Sequence, residues 1–233
     1  LNFLSDDKYV MAIGNAETTK ANSKVSGDSV LSIKLKDGKY LVAISDGMGS
    51  GEEARQSSNK ALKMLENLLV SGIEKLLDNL NEMREENEEL KKLNERYKNI
   101  ADNRIDTIID LYKGNIEFIK NGACPTYIKN SNNVQVIKAN SLPVGIINHA
   151  GLQAFDRDII SGEIMLMCTD GILDSNVEYK NKELWVKYLL EDIETNNTKK
   201  IADLVLNEAI DNGYGTAKDD MSVVVCKFLN KTE

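Results

Sequence analysis

The spacing of hydrophobic positions changes several times along this chain, and each change marks a new element. Tyr9 to Ile13, Ser29 to Leu35 and Tyr40 to Ile44 are aliphatic and aromatic runs of strand length, with Lys36-Asp37-Gly38-Lys39 reading as a tight hairpin between the last two. From Glu52 to Leu77 the spacing becomes helical, placing Ala54, Ala61, Leu62, Leu65, Leu68 and Leu69 on one broad face. Strand patterns return at Thr107 to Tyr112, Ile116 to Lys120, Thr126 to Lys129 and Val134 to Ile137, with turns at Lys113-Gly114 and Asn130 to Asn133. Glu163 to Thr169 is one continuous apolar strand. Helices are expected at Glu183 to Glu194 and Thr198 to Asn212, and Met221 to Phe228 closes the chain as a strand. This order predicts two antiparallel sheets packed together with helices outside.

One stretch departs from the rhythm. Asp78 to Asn103 is nearly all charged or polar, yet Leu76, Met83, Leu90 and Tyr97 recur every seven residues, with Leu80, Asn87, Asn94 and Ala101 between them. The pattern reads as a solvated helix with i,i+4 pairs such as Glu88 to Lys92, or as a short coiled coil forming a homodimer through helices. The chain is otherwise expected to be a single domain over residues 1–233, with this atypical segment at about 78–104.

Composition narrows the function classes. At 233 residues and 42% hydrophobic, the chain can bury one substantial core. A formal net charge of -8 argues against duplex nucleic acid as a partner. Cys124, Cys168 and Cys226 are widely spaced, odd in number and set in apolar contexts, as expected of reduced core thiols in a cytosolic protein. No run is long enough to cross a bilayer, and no basic-then-apolar leader is present. A start at Leu1 rather than Met is expected of a fragment, so any membrane anchor is expected to lie outside it.

The candidate chemistry lies in three acidic turns: Ser45-Asp46-Gly47-Met48-Gly49, Thr169-Asp170-Gly171 and Asp219-Asp220-Met221-Ser222. Each stands at one end of an apolar run, so three loops can bring carboxylates together beside the sheets. Clustered carboxylates repel one another unless something compensates, and Mg²⁺ or Mn²⁺ suits an all-oxygen set. Asp46 is placed to bridge two ions, and Gly47 has no side chain to keep its carbonyl from acting as a further ligand. Asp170 and Asp219 present carboxylates from strand ends, and Asp28, in Gly27-Asp28-Ser29, is a fourth candidate acting through water. Two ions about 3.5–4 Å apart suit in-line displacement at phosphorus, so phosphate ester hydrolysis is the expected reaction.

Together these words resemble the metal-dependent, type 2C protein serine/threonine phosphatases: Ser45 to Gly51, Thr169 to Gly171, and Asp219 to Val225. Val25 to Ser29, Phe118 to Ala123 and Leu142 to Asn148 are similar to the stage II sporulation protein E branch, in its C-terminal phosphatase domain. The resemblance covers nearly the whole chain except roughly residues 77–104. It implies an α+β fold, a four-layered α-β-β-α sandwich of two antiparallel sheets flanked by helices. It also implies a centre of two Mn²⁺ or Mg²⁺ ions whose bound water attacks phosphoserine with no phosphoenzyme. By motif, Asp46 bridges the ions, the Gly47 carbonyl binds one, Asp170 and Asp219 complete the other, and Asp28 holds coordinated water. Gly27 stands where the wider family carries a second carboxylate. The implied substrate is a phosphorylated anti-anti-sigma factor whose dephosphorylation releases a sporulation sigma factor. In place of the family's second regulatory helix, this chain carries its charged heptad segment. The alternative is a catalytically weak phosphatase-like module acting by partner binding or coiled-coil association.

Other residues take simpler readings. His149 reads as a surface residue and Trp185 as packing. Cys124 lacks the downstream arginine of a cysteine phosphatase loop. Gly49 and Gly51 permit a turn, since no P-loop lysine follows.

Overall fold

A computed structural model describes residues 7–35, 38–47, 51–71, 103–121, 124–131, 133–138 and 153–231. The heptad segment up to residue 102, Met48 to Ser50, the Leu142 to Asn148 motif and His149 lie outside the described residues.

Two five-stranded antiparallel sheets form the centre. One has the order β1 (Tyr9–Thr18), β10 (Met221–Asn230), β9 (Ile164–Cys168), β6 (Thr126–Lys129), β7 (Val134–Ile137). The other has the order β2 (Ser29–Lys34), β3 (Tyr40–Asp46), β4 (Asn103–Asp110), β5 (Asn115–Asn121), β8 (Gln153–Asp158). Helix α1 (Glu52–Ser71) packs on β2 and β3, whereas α3 (Glu183–Asp192) and α4 (Thr198–Asn212) cover the first sheet, completing four layers. A short α2 (Asp170–Leu173) follows β9. No helix among the described residues is long and apolar enough to cross a membrane.

The side-chain alternation of each strand explains its unbroken apolar run. On β10, Val223 and Val225 point to the helices, where they meet Val186, Ile201, Ala202 and Val205, while Val224 and Cys226 point into the space between the sheets. On β9, Leu166 and Cys168 face the helices, and Met165 and Met167 face Val42, Ile44, Ile109, Ile116 and Phe118 of the opposite sheet. On β3, Leu41 and Ala43 meet Leu62 of α1. A strand buried on both faces has no use for polar residues on either, hence no period-2 alternation. Cys168 and Cys226 are buried in this core and Cys124 partly so, and none of the three is in a disulfide.

Several boundaries differ from the sequence pattern. β1 runs on to Thr18 because all of its residues pair with β10, Tyr9 with Asn230 through Thr18 with Met221. β4 begins at Asn103, where ladder bonds to Asp46 of β3 carry the polar residues Asn103, Arg104 and Asp106 into a strand. β8 carries no apolar run; it forms at the edge of its sheet by pairing with β5, Phe155 opposite Phe118. Trp185 is buried, and its indole N–H donates to the Leu173 carbonyl at 3.1 Å, fixing α3 against α2.

Candidate metal centre

Antiparallel pairing brings the acidic turns to one end of the sandwich. In one sheet Ser29 pairs with Ser45, so the start of β2, carrying Asp28, and the end of β3, carrying Asp46, lie side by side. In the other, Val223 pairs with Cys168, which places Asp170 beyond β9 next to Asp219 before β10. Asp28 is 1% exposed, Asp46 and Asp170 are half-buried, and Asp219 is exposed.

The contacts between the two sheets' turns are specific. The Thr169 hydroxyl donates to Asp28 Oδ2 at 2.8 Å and accepts from the Ser222 N–H at 3.0 Å, so one side chain ties the Asp28 carboxylate to the head of β10. The Thr169 N–H donates to the Ser222 carbonyl at 3.1 Å. The Asp46 carboxylate lies within electrostatic reach of Asp170, Asp28 and Asp219. Asp219 Oδ1 accepts its neighbour's Asp220 N–H at 3.0 Å and lies 4.0 Å from the Lys20 ammonium.

Helix α1 is drawn against this end by polar contacts. Ser58 Oγ donates to the Gly27 carbonyl at 2.5 Å, and the Arg55 guanidinium donates to the Asp28 carbonyl at 3.2 Å. The approach is so close at Gly47 that a Cβ there would lie 2.2 Å from the Ala54 carbonyl oxygen and 2.8 Å from that of Gly27. A side chain at position 27 would meet Ala54 Cβ at 2.9 Å and Asp220 Oδ2 at 3.2 Å. Position 27 therefore has no room for a second carboxylate as this loop is folded.

The electrostatics are those of carboxylates forced together. Burial pushes Asp28 up to about 6, opposed by the hydrogen bond from Thr169 and reinforced by the charges of Asp220 and Asp170. Asp46 is raised by burial first, then by Asp170 and Asp28; Asp170 is raised by burial and by Asp219. No three His, Cys, Asp or Glu side chains among the described residues converge into a finished cation cage. The donor set nevertheless fits a hard divalent cation: it is all oxygen, and a cation would relieve the repulsion among these carboxylates.

All four sequence-predicted carboxylates and Gly47 thus gather at one end of the fold. Sequence reasoning assigned nothing to Thr169, Ser58, Arg55 or Asp220. Thr169 adjoins Asp170, but only the pairing of β9 with β10 turns its hydroxyl toward Asp28. Asp220 is the same residue type as its neighbour Asp219 but is buried where Asp219 is exposed, a difference made in the bend that precedes β10.

Residues 36–229 match the family model described as Stage II sporulation protein E (SpoIIE). The chain is 34% identical over 229 residues to Stage II sporulation protein E of Priestia megaterium, covering 96% of this chain and 37% of that protein. It is also 34% identical over 232 residues to Stage II sporulation protein E of Bacillus subtilis (strain 168), covering 99% of this chain and 27% of that protein. The chain therefore spans about a quarter to just over a third of these relatives. A solved structure of the PP2C phosphatase domain and a fragment of the regulatory domain of SpoIIE from Bacillus subtilis superposes with a TM-score of 0.79 at 33% identity, covering 95% of this chain and 64% of that one. At 18% identity and a TM-score of 0.63, the fold alone is shared with the catalytic domain of the serine threonine protein phosphatase PstP, solved in complex with 2 manganese ions; 95% of this chain and 100% of that one are covered.

Proposed function

This chain belongs to the stage II sporulation protein E family as a PP2C-type serine/threonine phosphatase domain, and from that premise we propose that it hydrolyses phosphoserine on a phosphorylated anti-anti-sigma factor. Its product would then control activation of a sporulation sigma factor. The observation that carries the reading is that strand register brings Asp28 and Asp46 of one sheet to the same end as Asp170 and Asp219 of the other, where Thr169 bonds Asp28 across the sheets at 2.8 Å.

Asp46, Asp170 and Asp219, the Gly47 carbonyl and, through water, Asp28 would hold Mn²⁺ or Mg²⁺. Such ions, when bound, neutralise phosphoryl oxygens and make a water acidic enough to attack phosphorus. The protein's own part is positional. Thr169 occupies one oxygen of Asp28 and fixes its rotamer, and Gly47 lets the first turn of α1 close over the Asp46 turn. Burial and mutual repulsion favour the protonated carboxyls of Asp46 and Asp170, so cation binding would compete with protons there.

Mn²⁺-dependent hydrolysis of a phosphoserine protein and of an aryl phosphate, with Asp46→Asn and Asp170→Asn for comparison, tests the centre. Losses of a hundredfold or more are expected, and equal rates in all three proteins refute the assignment. For the partner, the phosphorylated anti-anti-sigma factor should be dephosphorylated faster than a short phosphoserine peptide. We read residues 1–233 as one domain that associates through the segment at 78–104; a monomeric solution mass with full activity would overturn that association.

A further inference from the structure

Asp220 is 5% exposed, yet its partners are two main-chain amides and no lysine or arginine among the described residues. Its Oδ1 accepts the Lys20 N–H and its Oδ2 the Gly27 N–H, each at 2.7 Å. Lys20 and Gly27 bracket the loop between β1 and β2 that ends in Asp28. The main chain of Asp220 is equally committed: its N–H donates to Asp219 Oδ1, and its carbonyl oxygen lies 2.1 Å from where a Cβ on Gly171 would be. One residue therefore touches the loop of Asp28, the turn of Asp170 and the side chain of Asp219.

The residue type is constrained by that geometry. Two N–H donors converge on one side chain, and a carboxylate offers an acceptor oxygen to each. An asparagine offers one acceptor and turns an NH₂ donor toward the other amide. A carboxylate here also has a cost, because its charge adds to the repulsion on Asp28. A buried, cation-free carboxylate set among other carboxylates and held by main-chain amides of the loop between β1 and β2 is an expensive way to stabilise that loop. Its distinctive effect is to fix the distance between acidic turns that belong to different sheets.

We propose that Asp220 is a positioning residue that sets the spacing of the Asp28 turn against the Asp170 and Asp219 turns, and so the divalent-cation affinity of the centre. The inference rests on the metal reading of those turns. Asp220 ligates nothing itself; both of its oxygens are committed to amides.

The test is calorimetric titration of Mn²⁺ into the metal-stripped protein, with thermal denaturation of the same samples in chelator. Asp220→Asn should weaken Mn²⁺ binding by about tenfold to a hundredfold, the range typical of groups that orient metal ligands, with only a few degrees lost in the chelator Tm. Asp220→Ala should weaken it further. Ser23→Ala, which loosens the same loop through the Ser23 contacts with Val25, should leave affinity unchanged. Unaltered affinity in Asp220→Asn overturns the inference whatever its Tm. Should the variants not fold, hydrogen exchange of the wild-type protein decides: the Lys20 and Gly27 amides must be protected and become more so with Mn²⁺, and free exchange in the Mn²⁺-bound protein overturns the inference. If wild type binds no Mn²⁺, the reading of the centre fails; if wild type and Asp220→Asn bind equally, only the role of Asp220 fails.

Discussion

Replacing Gly47 by alanine should separate the Asp46 turn from α1. The added Cβ would lie 2.2 Å from the Ala54 carbonyl oxygen, 2.7 Å from its carbon and 2.8 Å from the Gly27 oxygen. All three are main-chain atoms, so no side chain can swing away. Ordinary contact needs about 3.5 Å, so one wall must retreat by roughly 1 Å. Retreat of the helix pulls Ser58 Oγ from the Gly27 carbonyl and Arg55 from that of Asp28; retreat of the turn displaces Asp46. Overpacking of this kind costs about 1–3 kcal/mol, and the rigid walls place this case at the upper end. For a chain of this size that corresponds to a fall in Tm of about 5–10 °C in chelator. Differential scanning calorimetry measures the fall, and Mn²⁺ titration of phosphatase activity should show a requirement at least tenfold higher. A Tm within 1 °C of wild type with an unchanged Mn²⁺ requirement would refute the argument from close approach.

Three further outcomes follow from the geometry. Thr169→Val removes the donor to Asp28 and the acceptor for the Ser222 amide, costing about 1–3 kcal/mol in urea denaturation; a change under 0.5 kcal/mol contradicts the bridging role. In chelator, the folded chain keeps a proton on Asp28 up to about pH 6 whereas the unfolded chain releases it near 3.8, so native protein binds more protons in that window and stability falls as pH rises through it. Wild type should therefore lose up to about 3 kcal/mol relative to Asp28→Asn between pH 4 and pH 7, a loss that Mn²⁺ abolishes; parallel pH profiles would sink the assignment. At the far end of the same sheets, Arg157→Leu removes the two bonds of 2.8 and 3.0 Å from the guanidinium and leaves the buried Glu163 carboxylate, among the described residues, only the Ile160 N–H, which should cost about 3–5 kcal/mol with the Mn²⁺ requirement unaltered, as denaturation and activity assays would show.

Much of this protein is legible in its residues because local order and burial leave one-dimensional signatures. The continuous apolar runs of β3, β9 and β10 announce strands buried on both faces, and the acidic words at their ends announce an oxygen-ligand centre. Asp28, Asp46, Gly47, Asp170 and Asp219 were all named by that logic, and all gather at one end of the sandwich. β8 left no trace, since Gln153–Asp158 is a strand through its hydrogen bonds with β5 rather than through any apolar pattern. The first residues of β4 are polar for the same reason.

What the sequence by itself determined was the inventory: which strands are doubly buried, which turns carry carboxylates, and which family the words resemble. What only the tertiary structure decided was direction and distance. Asp219 faces outward toward solvent and the Lys20 ammonium, while Asp220, one residue on, is buried on two backbone amides, and no local propensity separates them. Thr169 reaches Asp28 across 141 positions of sequence because β9 and β10 pair in one sheet and pack on the other. Composition and periodicity report a residue's own environment averaged over an element, whereas these contacts depend on the relative placement of two sheets, which packing sets only once the whole core has formed.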